Sequence, residues 1–258
     1  MAPNPTSAVN DPRLTVVPKA AEIIAARIRR AIADGTLLPD QQLPPQPELA
    51  EQQGVSAPTM REALRILETE GLIEVRRGVR GGAYVKAPHL GAVSRQLGMF
   101  LQIQGATVAD LYEARIIFEP PAARLLAERW TDDAEKDLQA CLDEERQAMD
   151  DPVAIVRAGS RFHIRLLQHC GNVSLGAIGT IIAGIVEKHL AMTVAGRVVR
   201  DQLHTVTKAG LRRQEKLVGL MATGQGAAAE RHWRKSLEDA LAMVQKGGEA
   251  TNRLDLVD

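Results

Sequence analysis

The stretch GVSAPTMREALRILETEGLIEVRRG, Gly54 to Gly78, decides how this chain is read. Ser56 is of the type that caps a helix N-terminus by accepting a backbone N–H bond. Met60, Ala63, Leu64 and Leu67 then recur at i, i+3, i+4, i+7, the spacing of one apolar helix stripe. Thr59, Arg61 and Arg65 fall off that stripe. Gly71 stops the helix, and Leu72 to Arg77 and Ala83 to Lys86 read as two short strands around Gly78-Val79-Arg80-Gly81-Gly82. The stretch predicts a helix exposing two arginines and a hairpin with Arg77 and Arg80 at its tip, beside glycines that allow close backbone approach.

Just upstream, Leu49-Ala50-Glu51-Gln52-Gln53-Gly54 closes a shorter helix with a glycine. Two helices joined by a tight glycine turn form a helix-turn-helix, whose second helix lies in a DNA major groove. An ordinary helical hairpin with a solvated charged face fits the same pattern.

The 258 residues suffice for two modest domains, each with its own core. Hydrophobic residues at 45% and charged residues at 25% are globular values, while aromatics at 3% suit helix-on-helix packing through Ala, Leu and Ile. The formal net charge is zero, but nucleic-acid binding depends on a local patch. Arg61 to Lys86 carries six Arg or Lys against four Asp or Glu, with Arg76, Arg77 and Arg80 unopposed in the hairpin. Cys141 and Cys170 show no metal or redox spacing and read as core residues of a reducing compartment. The first 17 residues hold no apolar run, so neither a secretory signal nor a membrane anchor is expected and the chain reads as cytoplasmic.

Residues 1–17 read as a disordered arm. A helix starting at Pro18 and running to Asp34 places Ile23, Ile24, Ile28 and Ile32 at helical spacing, with Arg27, Arg29 and Arg30 on its solvated face. A proline-rich connector follows, and Pro47 suits the first turn of the next helix. Residues 18–88 form the first expected domain, and 89–95 a linker and helix start. From 96 to 245 the chain reads as an all-α bundle of six to seven helices, punctuated by Gly105, Asp151-Pro152, Gly171-Asn172 and Gly224-Gln225-Gly226. Residues 246–258 read as a flexible tail. The fold class is mainly α.

The order of the helix, the Gly35-x-Leu37-x-Pro39 connector ending in Leu43-Pro44, the Glu48-Leu49-Ala50 run, REALRILETEGLI and RRGVRGGAYV is similar to the winged-helix domain of GntR transcription regulators. The resemblance implies DNA contacts from Ser56, Thr59, Arg61, Arg65, Arg77 and Arg80. The chain departs from the family at Pro47 and Ala57, where arginines commonly contact the operator. A bidentate Arg–guanine pair is worth about 1–3 kcal/mol of base discrimination, so a different operator core is implied. Phosphate contact suits most of these residues better than base reading.

TVADLYEARIIFEPPAARLLAERW (107–130), RFHIRLLQHCGNVSL (161–175) and GQGAAAERHWRKSLEDAL (224–241) resemble the C-terminal ligand-sensing FCD domain of the FadR subfamily. Members often hold a metal through an Asp and a His four residues later, with two further histidines. Here those positions align to Gly159, His163, Gln214 and Ser236, so three of four ligands are missing and no metal or other cofactor is expected. The resemblance implies an effector site at Arg115, His163, Gln214 and Ser236, in a wider and more apolar cavity. Arg115 suits a carboxylate by two parallel hydrogen bonds, or an internal i, i+4 pair with Glu119.

These readings imply an effector-responsive regulator, a repressor by family analogy, acting as a homodimer on a palindromic duplex operator. Its effector would be an organic acid, an acyl thioester or another apolar metabolite, with no membrane partner. A helical-bundle lyase or hydrolase, or an architectural DNA-binding protein without effector, are the alternatives. No nucleophile elbow, zinc-protease helix or phosphate loop supports an enzyme.

Overall fold

The structure is a computed structural model that describes residues 19–78, 81–86, 90–197, 200–246 and 253–254, and of 193–206 the backbone only. The expected arm at 1–17, with Pro18, lies outside the described residues. The chain divides into two compact units, residues 1–89 and 90–258. Among the described residues there are ten helices and one two-stranded sheet.

In the first unit, α1 (Ala20–Ala33), α2 (Gln46–Gln52) and α3 (Ala57–Thr69) precede β1 (Ile73–Arg76) and β2 (Gly82–Val85). The strands pair antiparallel from Ile73 opposite Val85 to Arg76 opposite Gly82. Ser56 caps α3, its Oγ accepting the Thr59 N–H at 3.4 Å. Gly54 takes φ +64°, a left-handed conformation cheap only for glycine, and the Val55 N–H reaches back to the Ala50 carbonyl at 3.0 Å. That pair of features makes the turn between α2 and α3 tight. Met60, Ala63, Leu64 and Leu67 are all buried, against Ile24, Ala25, Leu49, Ile73 and Val85. Packing of that stripe orients α3, so its opposite face is left to solvent.

The second unit holds seven helices: α4 (Leu90–Ile103), α5 (Val108–Glu128), α6 (Asp132–Gln147), α7 (Pro152–His169), α8 (Val173–Arg197), α9 (Arg200–Ala222) and α10 (Gly226–Lys246). The starts of α5, α6, α7 and α8 are set by side-chain caps. Thr107 and Asp110 form a reciprocal box, Thr131 accepts the Ala134 N–H at 3.2 Å, and Asp151 accepts those of Val153 and Ala154. Asn172 caps α8 by accepting the Leu175 N–H at 3.1 Å. The core packs Leu126, Leu138, Leu142, Phe162, Leu166, Leu167, Leu217, Met221 and Trp233 with the buried thiols Cys141 and Cys170. Val173–Met192 of α8 is long and apolar enough to cross a membrane by composition alone; here it packs on α4, α5 and α7 and buries Ala183, Ile185 and Val186.

Two prolines, Pro120 and Pro121, lie inside α5. Proline has no N–H, so Pro120 leaves the Ile116 carbonyl without its intrahelical donor. Arg234 of α10 supplies the replacement, its Nη1 donating to that oxygen at 3.1 Å. The expected flexible tail is corrected at two residues. Arg253 bridges Thr107, and Leu254 is buried beside Val108, Leu111 and Tyr112, with its N–H on the Ala106 carbonyl at 3.1 Å. An apolar side chain in reach of the α4–α5 turn gains by leaving water.

Candidate functional site

On the first unit, the six residues implied as DNA contacts separate by what they already touch. Arg61 and Arg77 are exposed and have no hydrogen bond or ion pair among the described residues. Arg65 is engaged: its Nε and Nη2 donate to the two carboxylate oxygens of Glu62 at 2.9 and 2.7 Å. Hydrogen bonding from Arg65 holds the Glu62 carboxyl below the usual carboxylate range. Ser56 is exposed but acts as the cap, and its Oγ lies 2.8 Å from the half-buried Thr59 Oγ1. Arg80 lies outside the described residues.

Two readings of the first unit's cations need correction. Arg76 is opposed: its Nε and Nη2 each lie 3.1 Å from Glu74 Oε2, and its guanidinium sits 4.4 Å from the centre of the Tyr84 ring. Residues two apart on a strand share a face, which brings this pair together. On α1, Arg29 clamps Glu70 at 2.9 and 2.6 Å and Arg27 reaches Gln53 at 3.2 Å, so neither is merely solvated. Gln42 and Gln46 were not singled out by the sequence. Gln46 Nε2 donates to the Ala57 carbonyl at 3.0 Å, tying the starts of α2 and α3, and Gln42 Nε2 donates to the Gly81 carbonyl at 3.2 Å, steadying the hairpin.

In the second unit, Arg115 and His163 meet in a buried polar cluster completed by Glu119 and Trp233. Glu119 Oε1 accepts Arg115 Nε at 2.6 Å, and its Oε2 accepts Trp233 Nε1 at 2.9 Å and His163 Nδ1 at 2.8 Å. Arg115 Nη2 lies 2.6 Å from His163 Nδ1 and 2.8 Å from Nε2. With the proton on Nδ1, that N–H donates to Glu119 and Nε2 is left as the acceptor toward Arg115. Glu119 is fully buried, which works to raise its pKa, but the Arg115 charge and the bonds it receives hold it down to about 2. Burial and the neighbouring guanidinium lower the His163 pKa, keeping the ring neutral. Both branches of the Arg115 reading bear on this site, and the internal pair with Glu119 is present.

The four residues aligned with the family's metal ligands do not fit a divalent ion. Gly159 has no donor, both His163 ring nitrogens are engaged, and a guanidinium occupies the space beside Nε2. Among the described residues no group of three or more His, Cys, Asp or Glu converges. His169 bonds Asp137 at 3.0 Å and His232 the Arg213 carbonyl at 2.9 Å; the side chain of His204 lies outside the described set.

A cavity of about 200 Å³ opens beside the cluster, lined by Tyr112, Arg115, Glu145, Gly159, His163 and the apolar Ile155, Val156, Val186 and Leu190 among others. The wide apolar cavity expected from the missing ligands is therefore corrected: it is small and carries ionisable groups on one wall. Gln214 is buried next to Glu145 and bonds its carboxyl. Ser236 is also buried, one turn beyond Trp233 on α10, but does not line the cavity. Burial pushes the Glu145 carboxyl up to about 7 despite Gln214 and Arg146. Glu119, Glu145 and Trp233 are residues that sequence reasoning did not propose for the site. Glu119 had a signal in its spacing of four from Arg115, and Glu145 in its place on the apolar stripe of Leu138, Cys141 and Leu142.

A winged helix-turn-helix followed by an all-helical unit with a polar cavity defines the class: two-part proteins with a DNA-binding fold joined to a ligand-sensing fold. Residues 20–85 match the model of bacterial regulatory proteins of the gntR family, and residues 110–239, half of the chain, match the FCD domain. The chain belongs to the GntR family, with the FadR-like order of domains. It is 35% identical over 165 residues to an HTH-type transcriptional regulator of Mycobacterium tuberculosis, covering 61% of this chain and 64% of that protein. The chain thus spans less than two thirds of that relative. It is 27% identical over 241 residues to the HTH-type transcriptional repressor NanR of Escherichia coli, covering 91% of this chain and 88% of that one. A solved Streptococcus agalactiae GntR structure shares the fold, with TM-score 0.65 and 23% identity over 86% of this chain and 99% of that chain. The family and these relatives are transcription regulators rather than enzymes.

Proposed function

We propose that this protein is an effector-responsive transcription regulator, a cytoplasmic repressor that acts as a homodimer on a palindromic operator. The observation carrying the reading is that Arg61 and Arg77, one on α3 and one just past β1, are exposed cations with no internal partner among the described residues. Ser56 and the α2–α3 turn fix where α3 begins, which is what insertion into a major groove requires. A two-fold dimer would set two α3 helices about 34–36 Å apart, one turn of the duplex. The repressor polarity follows the name carried by the NanR relatives. An effector acts through differential affinity for two arrangements of the dimer.

Operators selected from random duplex DNA by the full chain test this reading. The expected product is an inverted repeat bound by two chains, with affinity that falls steeply as salt rises. Unchanged affinity for that repeat in both Arg61→Ala and Arg77→Ala, at matched salt, would overturn it.

A further inference from the structure

The second unit leaves two polar atoms over. Glu145 of α6 is 3% exposed, and its Oε1 has no hydrogen-bond partner among the described residues; the same holds for Oε1 of the buried Gln214 on α9. Burying an unpaired acceptor is unfavourable unless something donates to it. Across from Glu145, α7 carries Gly159, where an added Cβ would sit 3.8 Å from that same Oε1. Glu145 and Gly159 both line the cavity, and the absent side chain leaves room beside the carboxyl.

The cations near it are already committed. From α5, Arg115 is held by Glu119; from α7, His163 is neutral and spans Glu119 and Arg115; on α6 itself, Arg146 pairs with Asp143 and Glu215. Gln214 of α9 adjoins Glu145, Thr207 of α9 lines the cavity, and among the described residues α8 contributes only Val186 and Leu190 to this wall. Among the described residues the cavity therefore offers a spare acceptor and an apolar lining rather than a spare cation. At the ~30 Å³ that one water occupies in the liquid, its volume of about 200 Å³ holds roughly seven non-hydrogen atoms.

We propose that this cavity binds a small primary amine, whose ammonium donates to Glu145 Oε1 while its hydrocarbon body packs on Ile155, Val156, Val186 and Leu190. The assignment deepens the effector reading given above and rests on it for its regulatory meaning. Binding joins an ammonium to a carboxylate, so a Glu145 carboxyl that is protonated beforehand releases its proton to solvent.

The test titrates the full chain with cyclohexylammonium and n-butylammonium against cyclohexanecarboxylate, butyrate and cyclohexanol, by calorimetry and thermal shift. Cyclohexylammonium is expected to bind at least tenfold more tightly than its matched acid and alcohol. At pH 6, calorimetry in buffers of different ionisation enthalpy should register proton release. Glu145→Gln should lose at least tenfold in amine affinity and the proton release with it. Gly159→Ala should lose affinity to a similar extent by filling the space before Oε1, without lowering Tm, a combination that a structural defect would not produce.

No heat from either amine, a preference for the acids, or equal amine binding by the wild type and both variants would overturn the site. Amine binding that leaves operator affinity unchanged would remove the effector reading and keep the site. An acid that shifts operator affinity where amines do not bind would do the reverse.

Discussion

The two units of this chain treat polar side chains in opposite ways. Among the described residues, every buried polar or charged side chain, Arg115, Glu119, Glu145, Ser160, His189, Gln214 and Ser236, lies in the second unit. The described residues of the first unit bury only apolar groups and keep their arginines at the surface. A duplex is larger than the domain that meets it, so contacts to it must project outward. A small molecule is enclosed, so the groups that recognise it are withdrawn from water and must be satisfied there. Within the second unit the contrast repeats at finer scale. Glu119 is fully partnered and stays ionised, whereas Glu145 keeps one oxygen free and titrates near neutrality.

Removing the counter-charge should have the largest effect. Glu119→Leu strands the Arg115 guanidinium in the core and is expected to cost about 3–5 kcal/mol, read by urea denaturation at pH 7. Adding Arg115→Met should recover most of that loss; a double variant as unstable as the single one would mean that the cluster is not acting as a pair.

The two carboxylates should also oppose each other as pH changes. Glu119, with its folded pKa depressed, contributes stability above pH 4.5 that is lost as pH falls toward about 2. Glu145, with its folded pKa raised, is ionised first in the unfolded chain, so its effect on stability worsens as pH rises from 4.5 through about 7. Glu145→Gln is therefore expected to gain about 2–3 kcal/mol over wild type at pH 8 and almost nothing at pH 4.5. Equal shifts at both pH values would place Glu145 among ordinary solvated acids.

On the outer surface the arginines should rank by what they already hold. Arg61→Ala and Arg77→Ala are each expected to weaken operator binding about tenfold, ~1.4 kcal/mol, and to reduce the salt slope by about one. Arg65→Ala should do less, since Glu62 already holds the Nε and Nη2 edge of its guanidinium. A larger loss for Arg65 would show that the Glu62 pair opens on DNA. Smallest is Ser56→Ala, expected to cost about 1 kcal/mol of stability by uncapping α3, measured by thermal denaturation without DNA.

Much of the architecture was legible because its signals are local. The α3 stripe, the glycine at the α2–α3 turn and the caps at Asp151 and Asn172 each involve residues within a few positions of one another. The seven helices of the second unit follow from that punctuation. Pairing across the fold was not legible. Arg29 meets Glu70 from 41 positions away, and Trp233 reaches Glu119 from 114. Glu145 sits in the run Asp143-Glu144-Glu145-Arg146, and only its place at i+7 from Leu138, on the apolar stripe of α6, sets it apart from the half-buried Glu144. That stripe turns Glu145 inward, but what it meets there comes from α7 and α9, far along the chain.

The guanidinium that Arg234 lends to the Ile116 carbonyl makes positions 120 and 234 interdependent. With an alanine at 120, the helix closes its own bond and Arg234 becomes free to change; with proline in place, losing Arg234 strands an oxygen. The order in which two such replacements arise would thus determine whether the intermediate is tolerated, a ratchet built from one missing amide hydrogen.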